Sequence, residues 1–300
     1  MLLPGASSLK RKLSSSNFDV LVVRDLQPLV AVKESFGKVP VWIDLPEFTP
    51  RQNESSRSWR ILFAPYYRWV ATKILIKAQV TTTLGPRIAH EYSVKYQVNP
   101  RVIRNAARFI ESSVPTKKIA EPIRLVHSGA AIRARRLEEM IEAIAGIGSR
   151  FCLDLYLIKT DSAYFEELRE LAGRTQNCRI LEPVEHSQLI SVLSKYDVSL
   201  VVIPPTSFNY KNTLPNKLFD AIQARLAIVS GPTDEISDVV SEFKLGLIST
   251  GFDQKSLASA INQLTFESIY QYKLNSHNAA KFLGGESDDN LIREFVNGLI

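Results

Sequence analysis

The chain has 300 residues, of which 45% are hydrophobic, and a formal net charge of +6. This length favours two ordinary domains over one very large core. The absence of a run of about 18 uninterrupted apolar residues argues against a helix that spans a membrane. The two cysteines, Cys152 and Cys178, lack the spacing of a metal or redox site, which indicates free thiols in a reducing cytoplasm.

The first 120 residues combine sparse strand patterns with an excess of positive charge. The start, "MLLPGASSLKRKLSSS", lacks the apolar segment of a secretory signal and is interpreted as a frayed start or a targeting segment. An apolar, aromatic and basic helix, kinked at Pro65, is expected over 59–78. Residues 1–120 hold 19 Lys+Arg against 8 Asp+Glu, which favours an anionic surface or substrate as a partner, with solvation of the surface alone as the alternative. Strands are expected at 19–23, 39–43, 78–84 and 100–104.

The rest of the chain alternates short strand patterns with helical patterns of roughly ten residues, which is typical of βαβ units in a parallel sheet. Ligands bind such sheets at the carboxyl ends of the strands. The proline-flanked stretch 113–121 is interpreted as a linker, so domains are predicted at 1–116 and 117–300, with a tail helix at 286–300 crossing back to the first. Strands are expected at 123–130, 152–158, 178–184, 198–204, 226–231 and 245–250.

Several segments resemble GT-B glycosyltransferases of the retaining family-4 type. "LPNKLFDAIQARLAIVSG" is similar to the family's donor-binding segment, and "DVLVVRDLQPL", "VWIDLPEF" and "VHSGAAIRARRLEEMIEAI" match other segments in the correct order. The resemblance covers nearly the whole chain from about residue 17. It implies an α/β fold of two Rossmann-like domains facing a cleft, with an incomplete N-terminal domain.

The resemblance also implies a site for a nucleotide-diphosphate sugar in the second domain. Arg135, six residues after Gly129 and expected to open the first helix of this domain, resembles the family's phosphate-clamping Arg, although Arg133 and Arg136 compete for that role. The Lys217 ammonium can reach the same phosphates, and the two cations would be catalytic by stabilising the diphosphate. Asp220 resembles the acid that accepts from the ribose hydroxyls. The implied donor-binding residues are Gly129, Val184, Asn216, Lys217 and Asp220, with no metal and no cofactor.

Other polar residues have two interpretations. Asp25, Asp44 and Glu47 follow first-domain strands, and are either acceptor-side residues or residues of strand-terminal turns. His127 and His90 are interpreted as structural. Where related enzymes carry the first of two paired acids, this chain has Asn212.

The predicted activity is the transfer of a hexose from a nucleotide-diphosphate sugar to a glycan or lipid-linked acceptor, with retention and without a metal. The expected setting is surface polysaccharide biosynthesis in the cytoplasm. The alternative is a non-catalytic nucleotide-sugar-binding subunit that completes or regulates a partner glycosyltransferase. A nucleotide-sugar epimerase is a third hypothesis, but no acid/base pair supports it. No strand runs into Gly-x-Gly-x-x-Gly, which argues against an NAD dehydrogenase, and no basic-aromatic motif indicates nucleic acid.

The helix at 59–78 has two interpretations, as a core helix or as a helix at an anionic membrane surface. The second interpretation predicts peripheral association with the inner face of a membrane. It depends on the basic residues Arg57, Arg60, Arg68, Lys73 and Lys77 and on the aromatic residues Trp59, Phe63 and Trp69.

Overall fold

A computed structural model describes residues 6–15 and 17–300, which form two compact units. The first unit contains the described residues up to Asn105 together with Ser207–Thr213 and Asp288–Ile300. The second unit contains Ala106–Thr206 and Leu214–Ser287. The sequence-based boundary lies after residue 116.

The regular elements follow one another along the chain as strands and helices of modest length. The strands are β1 (Leu21–Arg24), β2 (Val41–Leu45), β3 (Val80–Thr83), β4 (Arg101–Val102), β5 (Ile123–Ala130), β6 (Phe151–Ile158), β7 (Cys178–Leu181), β8 (Val198–Val201), β9 (Ala227–Ser230) and β10 (Gly246–Ile248). The helices are α1 (Ala6–Ser14), α2 (Leu29–Val32), α3 (Ala64–Lys73), α4 (Pro86–Tyr96), α5 (Glu138–Ala145), α6 (Ser162–Gly173), α7 (His186–Leu193), α8 (Phe208–Lys211), α9 (Asn216–Gln223), α10 (Asp234–Glu242), α11 (Gln254–Asn262), α12 (Phe266–Ala279) and α13 (Asp289–Leu299).

The first unit is built on a parallel sheet in the order β1-β2-β3-β4. Arg24 pairs with Asp44 and Leu45 pairs with Thr83, so the carboxyl ends of β1, β2 and β3 share one edge. Each of the four predicted strands is confirmed, although β1, β3 and β4 are shorter than their sequence patterns and β2 begins and ends two residues later.

Two local predictions for the first unit need correction. The frayed start is wrong for 6–14, which form α1, because Leu9 and Leu13 are one helical turn apart and pack against the core. Residues 1–5 and 16 of that segment lie outside the described residues. The irregularity predicted at Pro65 takes the form of a π-helical turn at Trp59–Phe63. Pro65 has no N–H for the carbonyl four residues earlier, so the helix widens there.

The second unit is built on a parallel sheet in the order β10-β9-β8-β5-β6-β7. All six predicted strands are confirmed, and they pair in parallel through a core of buried aliphatic side chains. The chain winds outward from β5 through β6 to β7, then returns to β8 on the other side of β5. Ligands bind α/β sheets at such a reversal, outside the carboxyl ends of the strands. The fold therefore predicts a ligand-binding site at the carboxyl ends of β5 and β8.

Within residues 6–15 and 17–300, no helix is both long and apolar enough to cross a membrane.

Candidate functional site

A space without a side chain lies at the carboxyl end of β5. Gly129 has a φ of +154°, and a Cβ added there would lie 2.9 Å from the Lys217 Nζ and 3.2 Å from the Arg135 Nη1. Glycine is the residue that keeps this space open and tolerates this backbone conformation. Two cationic groups from distant parts of the sequence therefore meet at Gly129, next to the reversal in the strand order.

The three neighbouring arginines have different partners. Arg133 makes two hydrogen bonds of 2.8 Å to Glu167, and Arg136 pairs with Glu139. Arg135 instead donates to the carbonyl of Ala130 at 3.3 Å. Its buried Nε has no partner among the described residues. Arg135 therefore has donor capacity left for a ligand, whereas the exposed Arg133 and Arg136 are in ion pairs.

Arg135 lies on an irregular segment and not on a helix. It ends the 3-10 turn Arg133–Arg135, and Arg136 follows with a left-handed φ of 51°, before α5 begins at Glu138. The expectation that Arg135 opens the first helix of this domain is wrong, because this turn comes first.

Helix α9 carries the other polar residues that the sequence singled out. Asn216 is its exposed first residue, Lys217 follows, and Asp220 lies three residues further on and is 4% exposed. The remaining buried residues of α9 are mostly apolar and fix the helix against the sheet. The first free N–H groups of α9 and the Lys217 ammonium are therefore available for an anion.

The charged residues of this site lie in an unfavourable environment. Burial and the neighbouring Arg135 guanidinium lower the pKa of Lys217 well below its ordinary value, against the smaller effect of Asp220. Burial raises the pKa of Asp220 to about 6, although His186 and Lys217 act in the opposite direction. The ionised forms of Lys217 and Asp220 therefore each lower the stability of the folded state. Such perturbed pKa values are typical of residues that bind a ligand or take part in catalysis.

His127 belongs to this site, although sequence reasoning interpreted it as structural. It is fully buried in β5, with its Nδ1 2.8 Å from the Leu200 carbonyl oxygen and its Nε2 3.2 Å from the Lys217 Nζ. The signal was its position two residues before Gly129, because alternate residues of a strand share one face.

His186 is a second residue that sequence reasoning did not single out. It begins α7, which packs on α9, and its electrostatic effect favours the ionised form of Asp220. Val184 lies two residues before His186, in the loop between β7 and α7. The sequence pattern placed it at the end of a strand over 178–184, but β7 ends at Leu181. Thus Gly129, Arg135, Lys217 and Asp220 form one site, and Val184 lies in the loop before α7, the helix that packs on α9.

Three acids of the first unit lie at the carboxyl edge of its sheet. Asp25 has a left-handed φ of 72°, and its Oδ1 accepts from the Leu26 N–H and the Thr49 hydroxyl, each at 2.6 Å. These bonds support its interpretation as a turn residue. Asp44 accepts from Thr82 at 3.0 Å. Burial, followed by smaller effects that include the Asp25 charge, raises the pKa of both Asp44 and Glu47.

No group of three His, Cys, Asp or Glu residues within 6–15 and 17–300 is arranged to hold a metal ion.

Comparison with known proteins gives similarity in structure alone. No family model and no curated protein matches the chain. HepE from Anabaena, solved with UDP-glucose, superimposes with a TM-score of 0.77 at 13% identity, over 99% of this chain and 83% of that one. For sucrose-phosphate synthase from Thermosynechococcus elongatus the TM-score is 0.76 at 13% identity, over 99% and 78%.

A third similar structure is the pneumococcal O-GlcNAc transferase GtfA in complex with UDP and GlcNAc. Its TM-score is 0.70 at 14% identity over 97% of this chain, which spans only 59% of GtfA. At these identities the likeness concerns the fold, and the sequence-based fold class is confirmed. The chain has the fold of the GT-B glycosyltransferases.

Proposed function

We propose that this chain is a glycosyltransferase that moves a hexose from a nucleotide-diphosphate sugar to a glycan or lipid-linked acceptor. The observation that carries the proposal is the meeting of Lys217 and Arg135 at Gly129, beside the start of α9. Two cations and free helix N–H groups, at the reversal of a parallel sheet, are suited to a diphosphate. The fold shared with proteins solved with UDP or UDP-glucose supports a nucleotide sugar as the donor.

Each residue of the site has a role in the proposed donor complex. Lys217 and Arg135 bind the diphosphate, with Asn216 as a further donor at the first turn of α9. Asp220 accepts hydrogen bonds from the ribose hydroxyls, and Gly129 leaves room for the phosphates to approach the backbone. Val184 lies near the nucleobase.

The proposed reaction proceeds with retention. The bond between the anomeric carbon and the diphosphate oxygen breaks while the acceptor hydroxyl attacks from the same face. The leaving diphosphate takes the hydroxyl proton, so no dedicated protein base is required. Lys217 and Arg135 stabilise the negative charge that develops on the diphosphate, which is the role a metal ion has in other enzymes. We therefore propose a metal-independent reaction.

The acceptor-side residues are proposed to lie at the carboxyl edge of the first unit. Asp44 and Glu47 can accept hydrogen bonds from sugar hydroxyls, and their raised pKa indicates carboxylates in a partly desolvated position. Asp25 supports them by holding the turn at the end of β1. We place the reaction in the cytoplasm and in surface polysaccharide biosynthesis.

Binding and turnover of a nucleotide-sugar panel test this function. UDP-, GDP- and ADP-linked hexoses are measured by calorimetry, and release of the nucleoside diphosphate is followed with and without glycan acceptors. We expect one nucleotide to bind, slow hydrolysis of its sugar, and no loss of activity in EDTA. If no member of the panel binds, the proposed function is wrong; if EDTA abolishes turnover, metal independence is wrong.

A non-catalytic nucleotide-sugar-binding subunit is the second candidate. Asn212 favours it, because related enzymes carry an acid there, whereas this buried amide donates to the Phe208 carbonyl at 2.8 Å. Asn212 thus stabilises the end of α8. Donor binding without release of the nucleoside diphosphate, restored by a partner protein, would favour this candidate.

We further propose that the first unit binds an anionic membrane surface. Residues 55–90 contain no Asp or Glu, and their exposed side chains include four large apolar ones, Ile61, Leu62, Trp69 and Ile76, exposed by 48–65%. We call the basic face the set Arg57, Arg60, Ile61, Leu62, Arg68, Trp69, Lys73, Ile76 and Lys77, all of which are exposed.

The basic face differs from the sequence-based expectation in its aromatic residues. Trp59 stacks on Phe63 and Tyr67, with ring centroids 5.3 and 5.4 Å away, and packs against the core. Only Trp69 of the three predicted aromatic anchors is exposed. The apolar anchors are therefore Ile61, Leu62 and Ile76 together with Trp69. Apolar anchors beside basic residues, in a segment without Asp or Glu, are suited to the boundary between the headgroups and the acyl chains of an anionic membrane.

Salt-sensitive binding to anionic vesicles is the expected result. At about 1 kcal/mol per basic residue near the surface, reversing Arg57, Arg60 and Arg68 to Glu weakens partitioning by at least roughly 100-fold. The matched control reverses Arg174, Lys195 and Lys255, exposed basic residues of the second unit, to give the same net charge. Cosedimentation measures both triple variants. Equal binding to neutral and anionic vesicles, or equal loss in both variants, would contradict the proposal.

A further inference from the structure

The imidazole of His127 has one tautomer that fits its surroundings. Its Nδ1 lies 2.8 Å from the Leu200 carbonyl oxygen, and a carbonyl can only accept, so Nδ1 carries the hydrogen. The Nε2 of a neutral ring then has a free lone pair, which lies 3.2 Å from the Lys217 Nζ. The Lys217 ammonium therefore donates to His127, and β8 orients the ring through Leu200.

Lys217 needs such an acceptor because its other neighbours leave its position undetermined. Arg135, which meets Lys217 at Gly129, repels it, and Asp220 offers electrostatic attraction without a hydrogen bond to Nζ. A lysine side chain has several rotatable bonds, so a repelled ammonium would leave the site. Burial and the charges of Lys217 and Arg135 keep the pKa of His127 well below its ordinary value, so the ring stays neutral and can accept.

We propose that His127 is a positioning residue, which holds the Lys217 ammonium beside Arg135 in readiness for the diphosphate. The inference rests on the proposed function for its ligand, but the His127–Lys217 hydrogen bond itself does not. His127 touches no substrate in this scheme and acts only through Lys217.

Two substitutions separate positioning from a structural role. In His127→Asn the amide NH₂ can replace the Nδ1–H donor to Leu200, but nothing replaces the Nε2 acceptor. In His127→Gln the side chain is long enough to place its amide oxygen near the Nε2 position, where Lys217 can donate to it. Positioning predicts that UDP binding is about tenfold weaker in His127→Asn, the range for one hydrogen bond to a charged group, and near wild type in His127→Gln.

Calorimetric titration with UDP, together with thermal melting, gives the decisive measurements. A purely structural role predicts the reverse order, with His127→Asn close to wild type and His127→Gln impaired. In a Lys217→Ala background, His127→Asn is expected to have no further effect on the Kd for UDP. An undiminished effect there would overturn the proposal.

The tautomer of His127 in the unsubstituted protein can be measured by NMR, even if both variants fold poorly or UDP does not bind. Long-range proton–nitrogen correlation spectra are expected to report a neutral His127 with the hydrogen on Nδ1, and a shift of Nε2 in Lys217→Ala. A hydrogen on Nε2, or an Nε2 resonance that is unchanged in Lys217→Ala, would contradict the His127–Lys217 hydrogen bond and overturn the proposal. Failure of wild-type protein to bind UDP, with the pair intact, would instead count against the proposed function.

Discussion

Replacing Lys217 by alanine is expected to weaken UDP binding by about 1.5–3 kcal/mol, or roughly 10- to 150-fold in Kd. The reason is the loss of a charge-assisted hydrogen bond to the diphosphate, which Arg135, with its own hydrogen bond to the Ala130 carbonyl, is not expected to replace. The fold is expected to remain intact, because burial and Arg135 already disfavour the Lys217 ammonium. Calorimetry and thermal melting measure the two effects.

The matched control for Lys217→Ala is Lys255→Ala, which removes the same charge from an exposed position on α11 of the same unit. A site-specific role requires that the control leaves the Kd for UDP unchanged. Equal affinity in Lys217→Ala and wild type would remove Lys217 from the site. Equal loss in both variants would indicate a general effect of net charge.

The sheets could be predicted from the sequence because their strands are short runs rich in β-branched residues, and because the central β8 and β9 are buried on both faces. The run 123–130 agrees with β5 at both ends. The strand ends were harder to predict, as in β8, where Val202 and Ile203 continue the apolar run beyond Val201 but are buried in the following loop. Hydrophobicity reports burial, whereas the end of a strand depends on hydrogen bonds that the pattern does not encode.

The choice among the three arginines could not be made from the sequence. Glu167, which pairs with Arg133, is 34 residues away on α6, and no local pattern predicts that pair. The same limit applies to His127, whose partner Lys217 is 90 residues further along the chain. The family resemblance predicted which segments form the candidate site, but the division of roles within it depends on contacts between distant segments.

The helix that contributes to the basic face illustrates a different limit. A helical period of 3.6 residues predicts which residues share a face, but the π-helical turn at Trp59–Phe63 changes that period. Trp59 and Phe63 therefore point to the core, while Ile61 and Leu62 become exposed. The basic residues Arg57, Arg60, Arg68, Lys73 and Lys77 are all exposed, as a helix at a membrane surface requires.

Asp220→Asn is expected to weaken the binding of UDP and of the intact nucleotide sugar alike, because both ligands carry the ribose. A carboxylate can accept from both ribose hydroxyls, whereas an amide offers only one acceptor oxygen. The loss is expected to be about 1.5–3 kcal/mol at pH 7.5, the range for hydrogen bonds to a charged group. A defect limited to the nucleotide sugar would instead place Asp220 near the transferred hexose.

The pH dependence of binding gives a second measure of Asp220. Its pKa is raised to about 6, so lowering the pH from 7.5 to 5 protonates the carboxyl and is expected to remove most of its contribution. The terminal phosphate of UDP also titrates near pH 6, and Asp220→Asn retains that effect alone. The difference between the two pH profiles therefore isolates Asp220, and parallel profiles would contradict its role.

The stability of Asp220→Asn should change in the opposite direction to its affinity. Because the folded pKa of about 6 lies above the ordinary 3.8, the folded state binds the proton more tightly, and stability falls as the pH rises through this window. Above it the buried charge imposes its full cost, which the neutral amide avoids. At pH 7.5 the variant is therefore expected to melt no lower than wild type, with any advantage disappearing below pH 4. A residue that lowers the folding stability but raises the affinity for a ligand is expected where selection has favoured ligand binding. A lower melting temperature at pH 7.5 would make Asp220 a structural residue.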